Sequence, residues 1–254
     1  MMRRWWWLLL CLPLYAAASE RWQQPAYILD SLIEVGLRSE HGPDPMVLRK
    51  WRVPLRVHID HRVADQALHV RLIEAHLGQL AQITGHPIQR VDSAADANVE
   101  VLLVRQQDLE SAWRAGADDA RIPKGTLCLA RIWTHGSEIR RALVAIPVDQ
   151  ARLHGKLVSC IVEELTQILG LPNDSDRVYP SIFNDRSTDQ LLSGLDLLLL
   201  KLLYDPRLKA GMGPDQVRRA GARVLRELEA AGVIAGAARQ VRKGELYGML
   251  GYGG

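Results

Sequence analysis

One apolar stretch, from Leu153 to Leu169, most constrains what this chain can fold into. Its apolar residues recur at intervals of three and four, which is the spacing of an α-helix, and they cover most of the helical circumference. These residues are Leu157, Val158, Ile161, Val162, Leu165, Ile168 and Leu169. Because such a helix is stable only when most of its surface is buried, the rest of the chain must pack around it on several sides.

The polar side chains of this helix lie close to its end. Glu163 and Gln167 are four residues apart and therefore share one helix face, with Glu164 beside them. Gly170 allows the helix to end and the chain to turn, which allows Asn173 or Asp174 to return towards that face. We therefore expect polar groups to converge at one point.

The first 19 residues differ from the rest of the chain and are predicted to be a signal peptide. Two arginines precede an apolar run at 5–15, and small residues follow at 16–18. We expect cleavage after Ala18 or Ser19. The apolar run is shorter than the roughly 20 residues that span a bilayer, and no later segment is long and uncharged enough to do so. The mature chain is therefore expected to be soluble and either periplasmic or secreted, without membrane attachment.

The charge and length of the mature chain limit its class. Lys and Arg exceed Asp and Glu by 3 in the full sequence, but two of the arginines belong to the signal peptide. Nucleic acid is therefore not an expected partner. About 235 residues remain, enough for one sizeable core. We predict an N-terminal arm at 20–52, one main domain at 53–236 and a Gly-containing tail at 237–254.

Hydrophobic patterning predicts a mixed sheet with helices, which is an α+β fold. The predicted order is a strand at 55–59, a helix at 63–83, strands at 88–91 and 99–104, a short helix at 109–115, a β pair at 127–133 and 140–148, the buried helix at 153–169, and helices at 191–204 and 216–231.

Two cysteines remain after the signal peptide, which contains Cys11, is removed. Cys128 and Cys160 can form one disulfide in an oxidising compartment. The alternative is a pair of buried free thiols, since cysteine is among the residues most often buried.

The polar positions of the buried helix resemble the metzincin motif, His-Glu-x-x-His-x-x-Gly-x-x-His. In that motif three histidines bind zinc and the glutamate serves as general base. Glu164 and Gly170 match their positions, whereas Glu163, Gln167 and Asn173 stand where the three histidines would be. The resemblance therefore implies a metzincin-type site whose zinc ligands have been replaced.

Two downstream segments extend the resemblance. Residues 180–183 resemble the Met-turn that lies beneath the metal in metzincins, with Phe183 in place of the methionine. Residues 192–204 resemble the closing helix of matrix-type members, and Ser193 and Asp196 are a suitable capping pair for it.

Residues 160–212 taken together look like a group of bacterial exported proteins described as predicted secreted zinc-dependent proteases of unknown function. The resemblance implies a zincin (metzincin)-like fold: a mixed β-sheet, a long active-site helix and a C-terminal helical part.

The ligand types at these positions leave the choice of metal open. Zinc is usually held by imidazole, thiolate and carboxylate, and this motif offers one carboxylate and two amides. Oxygen ligands suit calcium or magnesium better, and Asp174 and Asp176 would add negative charge. No cofactor is certain, and zinc or calcium are the alternatives. The histidines show no ligand spacing on one element, and His69 and His76 are expected on a surface helix, solvated or hydrogen-bonded.

Three functions remain open at this point. The preferred hypothesis is a non-catalytic domain whose cleft holds a peptide or protein partner along the sheet edge. The second is an active metallopeptidase with Glu164 as base and Glu163 and Gln167 as metal ligands. The third is a structural role in the cell envelope, which needs neither a metal nor a cleft. Separately, the simplest interpretation of Glu163, Glu164 and Gln167 is that they form the solvated stripe of an otherwise buried helix.

Overall fold

The computed structural model describes residues 20–38, 45–118, 121–122, 126–184 and 186–252. The predicted signal peptide and its cleavage point at Ala18 or Ser19 lie outside these residues.

A mixed sheet forms the centre of the fold. Within the described residues it has six strands: β1 (Lys50–Trp51), β2 (Leu55–His61), β3 (Ile88–Arg90), β4 (Val99–Val104), β5 (Leu129–His135) and β6 (Glu138–Pro147). The order β1-β6-β4-β2-β3 is parallel at every pairing, and β5 runs antiparallel along β6. β4 and the second half of β6, residues 142–147, are almost continuously apolar, as expected for strands that are buried on both faces.

Nine helices of the described ranges surround the sheet. They are α1 (Pro25–Leu37), α2 (Gln66–Thr84), α3 (Gln106–Gly116), α4 (Val148–Leu153), α5 (Leu157–Gln167), α6 (Gly194–Tyr204), α7 (Pro214–Ala230), α8 (Val233–Val241) and α9 (Glu245–Met249). The architecture is therefore mixed α/β with a mostly parallel sheet. None of these helices combines the length and the apolar character needed to cross a membrane.

The two faces of the sheet belong to separate apolar clusters. Alternate residues of β4 and β6 point into the main core, which also contains buried residues of α1, α2 and α5 to α9. The intervening residues of these strands pack with Leu109, Ala112 and Trp113 of α3. This alternation is the period of two that a strand imposes on its side chains.

The predicted helix at 153–169 is divided in the structure. α4 ends at Leu153 and α5 begins at Leu157. Between them Gly155 has φ +64°, a left-handed conformation that interrupts a right-handed helix. The apolar periodicity continues across this turn because both segments face the same core, which is why the sequence suggests one helix.

Two short helices, α8 and α9, were not predicted. They lie in the region interpreted as a helix end and a Gly-containing tail, and four glycines between residues 232 and 248 lower the helix propensity there. Burial of Ile234, Ala237 and Val241 compensates for that loss. The domain boundaries at 52/53 and 236/237 stay predictions, although the main core includes residues from Trp22 to Leu246.

Candidate functional site

One face of α5 lines a cavity of about 430 Å³. The side chains on this face are spaced three and four residues apart along the helix, and they are Lys156, Ser159, Cys160, Glu163, Glu164 and Gln167. The opposite wall is formed by residues 126–132, at the beginning of β5, and the third by the loop 172–189. The cavity is therefore a cleft between the edge of the sheet and the buried helix.

Three of the predicted site residues meet in this cleft. Glu164 and Gln167 are 6% and 8% exposed, whereas Glu163 is half-buried nearer the opening. The Nε2 of Gln167 donates to Oδ1 of Asp174 at 3.0 Å. Polar groups therefore converge on one point, as the spacing predicts.

Asn173 has a different environment from these three residues. Its Nδ2 donates to the carbonyl oxygen of Glu34 at 3.0 Å, and its backbone N–H donates to the carbonyl oxygen of Val35 at 3.1 Å. Both acceptors belong to the last turns of α1, and Asn173 is not among the residues that line the cavity. The residue of this loop that bonds to the polar face of α5 is Asp174, its neighbour, through the amide of Gln167.

Backbone constraints at the end of α5 fix the direction of this loop. Gly170 has φ +116°, and a Cβ at this position would lie 2.1 Å from the carbonyl oxygen of Arg49. The indole Nε1 of Trp51 donates to the carbonyl oxygen of Ile168 at 2.7 Å, and the hydroxyl of Tyr204 donates to that of Leu169 at 3.0 Å. The last carbonyls of the helix are therefore satisfied by the surrounding fold.

A turn beneath the cleft is anchored to α6 by a buried carboxylate. The turn begins at the cis peptide bond Tyr179-Pro180. Asp196 is fully buried and accepts hydrogen bonds from the Ser181 hydroxyl at 2.6 Å and from the backbone N–H groups of Ile182 and Ser193 at 3.2 and 2.7 Å. Burial raises the pKa of Asp196 to about 6, against the opposing effect of these donors. The expected capping pair of Ser193 and Asp196 is present as a capping box.

Phe183, which stands at the methionine position of the resembled turn, is fully buried. Its carbonyl oxygen accepts from the backbone N–H of Ser175 at 2.8 Å. The Nδ2 of Asn184 donates to the carbonyl oxygens of Asp176 and Val178 at 3.2 and 3.0 Å. The turn and the loop before it are thus one hydrogen-bonded unit that forms the third wall of the cleft.

A disulfide between Cys128 and Cys160 links two walls of the cleft. Cys128 immediately precedes β5, and Cys160 lies one helical turn before Glu164 on the same face of α5. The predicted disulfide is therefore confirmed, and the alternative of two free thiols is wrong.

The outer edge of β5 faces away from the rest of the sheet. The backbone N–H of Ala142 points towards β4. Because N–H groups alternate in direction along a strand, the N–H of Leu143 points to the opposite side of β6, towards Arg131, which is its pairing partner on β5. Because backbone groups alternate along a strand, Ala130 and Ile132 direct their N–H and C=O groups to the outer edge. Within the described residues β5 pairs with β6 alone, and no further strand lies along its outer edge.

The cleft offers oxygen ligands rather than nitrogen or sulfur ligands. Within the described ranges, no group of three or more His, Cys, Asp or Glu side chains is arranged to hold a metal ion. Carboxylate and amide oxygens do line the cleft, and they are ligands that a hard cation would accept.

Two histidines of α2 are buried. His69 and His76 are both hydrogen-bonded, so that expectation is confirmed, whereas the alternative of solvated side chains is wrong. The Nε2 of His76 lies 3.0 Å from the carbonyl oxygen of Val162 and 3.1 Å from Oγ1 of Thr166, both on α5. Burial lowers the pKa of His76 to about 3. His76 therefore joins α2 to the site helix as a neutral side chain.

His69 is fixed in one protonation state by its neighbours. Its Nε2 lies 2.9 Å from a guanidinium nitrogen of Arg152, which can only donate, and its Nδ1 lies 2.9 Å from Nε2 of His61. The arrangement requires a neutral His69 that carries its proton on Nδ1. Burial, followed by the charge of Arg152, lowers the pKa of His69 to about 4.

Comparison with known proteins gives a family for the chain. No curated protein matches it in sequence. Residues 25–222, which include every wall of the cleft, match the family model described as "Protein of unknown function (DUF2927)", and the chain belongs to this family.

Proposed function

We propose that the chain is an exported, non-catalytic binding protein of zincin-like fold, which holds an extended segment of a partner protein in the cleft between β5 and α5. The observation that carries this proposal is the outward-facing edge of β5 beside a cavity of about 430 Å³. An extended peptide can add a strand to such an edge, and its alternate side chains then enter the neighbouring cavity.

The arrangement around α5 supports the zincin-like assignment. A parallel sheet has one antiparallel edge strand, and a buried helix carrying Glu164 runs next to that strand. Gly170 turns the chain shortly after the helix end at Gln167, and a turn at 180–183 underlies the site. These features occur in the order that the metzincin resemblance implies.

The side chains at the ligand positions favour binding over catalysis. Zinc enzymes use imidazole, thiolate or carboxylate ligands with one open position. Here Gln167 uses its amide N–H groups to bind Asp174, and Asn173 donates to α1. Two of the three positions are therefore occupied by amides that already have protein partners.

Charged side chains of both signs line the cleft. Of the described residues that line it, four are acidic and two are basic: Glu163, Glu164, Asp174 and Asp189, with Arg131 and Lys156. The guanidinium of Arg131 donates to the carbonyl oxygen of Ala117, the residue that follows α3, at 2.6 Å.

The disulfide supports the exported part of the proposal. Structural disulfides form and persist in the periplasm and outside the cell, and are rare in the cytoplasm. Cys128 and Cys160 are bonded, and the predicted signal peptide would direct the chain to such a compartment.

A library of random eight-residue peptides, screened against the mature protein, tests the function. Ile132→Pro removes an outward N–H without removing a bond to β6, and should weaken binding at least tenfold. Ile132→Val, which keeps that N–H, is the matched control and should bind like the wild type. A screen without binders, or binders insensitive to Ile132→Pro, would contradict the proposal.

A metallopeptidase remains the second candidate because Glu164 lies in the cleft with oxygen atoms of Glu163, Gln167 and Asp174 around it. In that case Glu164 would act as general base and the other groups would hold the metal. Elemental analysis of the mature protein, purified without chelators, distinguishes the two candidates. A stoichiometric metal that is lost in Glu163→Ala and kept in Glu164→Ala would favour the enzyme.

A further inference from the structure

A second cavity, of about 650 Å³, is lined in part by the same loop 172–189 that forms the third wall of the cleft. It shares no lining residue with the cleft. Its volume lies within the range of roughly 300–1,000 Å³ that is usual for ligand pockets. The lining consists of aromatic side chains, a proline and charged side chains of both signs, namely Trp22, Tyr27, Tyr179, Pro180, Glu20, Arg21, Asp176 and Arg177.

The backbone of the loop at this cavity is held by one tyrosine of α1. The hydroxyl of Tyr27 accepts from the backbone N–H of Tyr179 at 2.8 Å. The same oxygen lies 2.9 and 3.0 Å from the carbonyl oxygens of Arg177 and Tyr179, to which it can donate. The side chains of Arg177 and Tyr179 therefore extend from a fixed backbone, which reduces the entropic cost of ordering them around a ligand.

The ring of Tyr179 is exposed to solvent although its backbone is fixed. Tyr179 is 63% exposed, whereas Trp22 is buried and its indole Nε1 donates to a carboxylate oxygen of Glu20 at 2.8 Å. Trp22 therefore belongs to the core, and Tyr179 offers an aromatic surface to a ligand. Tyrosine and arginine side chains together are typical of the residues that contribute most to binding.

Two guanidinium groups at this cavity have N–H donors without an acceptor among the described residues. Arg21 lies over the ring of Tyr27, 5.1 Å from its centroid, and its guanidinium forms no hydrogen bond or ion pair within the described ranges. Arg177 lies 3.9 Å from a carboxylate oxygen of Glu34, which is beyond hydrogen-bond distance, and its side chain is 76% exposed. Because guanidinium groups bind carboxylates through two parallel N–H bonds, both side chains are suited to a carboxylate ligand.

The two carboxylates at the cavity have partners of their own. The carboxylate of Glu20 accepts the indole N–H, and an oxygen of Asp176 lies 2.7 Å from Nε of Arg186. Neither carboxylate bonds to Arg21 or Arg177. The donors of these two arginines are therefore accessible to a ligand that enters the cavity.

We propose that this cavity binds a carboxylate that is carried by a molecule with a planar ring. Arg21 and Arg177 would bind the carboxylate, and the ring of Tyr179 would pack against the ring of the ligand. Two sources have this chemistry: a small aromatic acid, and the C-terminal residue of a chain that ends in an aromatic side chain. The inference is independent of the proposed function, because this cavity and the cleft have no lining residue in common.

Titration of the mature protein, followed by nuclear magnetic resonance, tests the site with two pairs of probes. Benzoate and its neutral analogue benzamide represent the small acid, and N-acetylphenylalanine and its amide represent the chain end. Each acid should bind at least about tenfold more tightly than its amide, because only the acid accepts charge-assisted bonds from two guanidinium groups. The backbone amides of Arg177 and Tyr179 should show the largest shifts. The acid that binds more tightly identifies the source.

Substitutions at the cavity separate the roles of charge and ring. Arg21→Gln and Arg177→Gln should each weaken binding of the acids at least about tenfold and leave the amides unchanged. Tyr179→Ser should weaken binding of acids and amides alike. All three side chains are exposed, so the variants should fold. Arg105→Gln is the matched control, because this arginine is exposed and lines neither cavity, and it should bind like the wild type.

Two results would overturn the proposal. One is equal affinity for the acids and their amides. The other is binding of the acids that both arginine substitutions leave unchanged. Peptide binding in the cleft is measured separately on the same proteins, so that the failure of one site is distinguished from the failure of the other.

Discussion

At the scale of single residues, Gly170 determines where the site lies. Its positive φ turns the chain after α5, and the carbonyl oxygen of Arg49 occupies the space where a Cβ would be. Asn173 then bonds to α1 and Asp174 reaches Gln167. The turn at Gly170 therefore directs Asp174, and not Asn173, into the cleft.

Gly170→Ala should lower the free energy of unfolding by at least about 3 kcal/mol, because it combines a steric overlap with a disfavoured φ. Urea denaturation measures the change. Gly236→Ala is the matched control, since this glycine lies within α8 with open space at its Cβ position. The control should be neutral or stabilising by up to about 1 kcal/mol. Equal effects at the two positions would show that the close approach to Arg49 is unimportant.

Residue-level chemistry also shows where sequence reasoning was limited. The convergence of Glu163, Glu164 and Gln167 follows from helical spacing alone, so it could be predicted. The choice between Asn173 and Asp174 depends on the carbonyl groups of α1, which are remote in sequence. No local pattern contains that information, and the ligand motif pointed to Asn173.

At the scale of elements, α2 and α5 are joined by a buried histidine. His76 contacts Val162 and Thr166 of α5, and the pKa of this histidine is lowered to about 3 by burial. The apolar pattern of α2 predicts a helix at nearly its observed position. It does not predict the burial of His69 and His76, because histidine is compatible with both a polar and an apolar face.

The histidine contact predicts acid sensitivity. Because the folded-state pKa of His76 lies below its ordinary value of 6.5, its neutral form contributes stability that is complete above pH 6.5 and is lost as the pH falls towards 3. The free energy of unfolding falls between pH 6.5 and pH 4, and His76→Gln should reduce this fall by up to about 3 kcal/mol. Urea denaturation at each pH measures it. His69 contributes in the same direction, since its pKa is lowered to about 4.

The exposed His154 provides the control for this measurement. His154→Gln should leave the pH dependence of the unfolding free energy as it is in the wild type. If His76→Gln and His154→Gln gave the same curve, protonation of the buried histidine would not be the cause of the acid sensitivity.

At the scale of the whole molecule, the fold brings one face of α5, the edge of β5 and a loop after Gly170 to a single cleft. Strand and helix order could be predicted because periodicities of two and 3.6 residues are local signals. The division of the helix at Gly155 and the helices α8 and α9 could not, because burial in the common core outweighs the local effect of glycine. The outward edge of β5 depends on strand order, which hydrophobic patterning leaves open.

The replaced ligand positions predict how a metal site could be restored. Histidines at 163 and 167 would lie four residues apart on one face of α5, the spacing used by zinc-binding helices. Asp174 already reaches residue 167 from the loop, so Glu163→His/Gln167→His should bind one zinc ion through two imidazoles and a carboxylate, which are typical zinc ligands. Elemental analysis and zinc titration measure the gain, and the wild type should take up none at equal zinc concentration.

The identity of the third zinc ligand distinguishes two geometries. The structure indicates Asp174, whereas the motif alone indicates position 173. Asp174→Ala, added to the two histidines, should weaken zinc binding at least tenfold, whereas Asn173→Ala should have little effect on affinity. If Asn173→Ala weakened zinc binding more than Asp174→Ala, Asn173 would have to turn from α1 towards the metal. Stoichiometric metal in the wild type, lost on Glu163→Ala, would instead show that the oxygen atoms of the native cleft are themselves a metal site, and the chain would then be expected to act as a hydrolase.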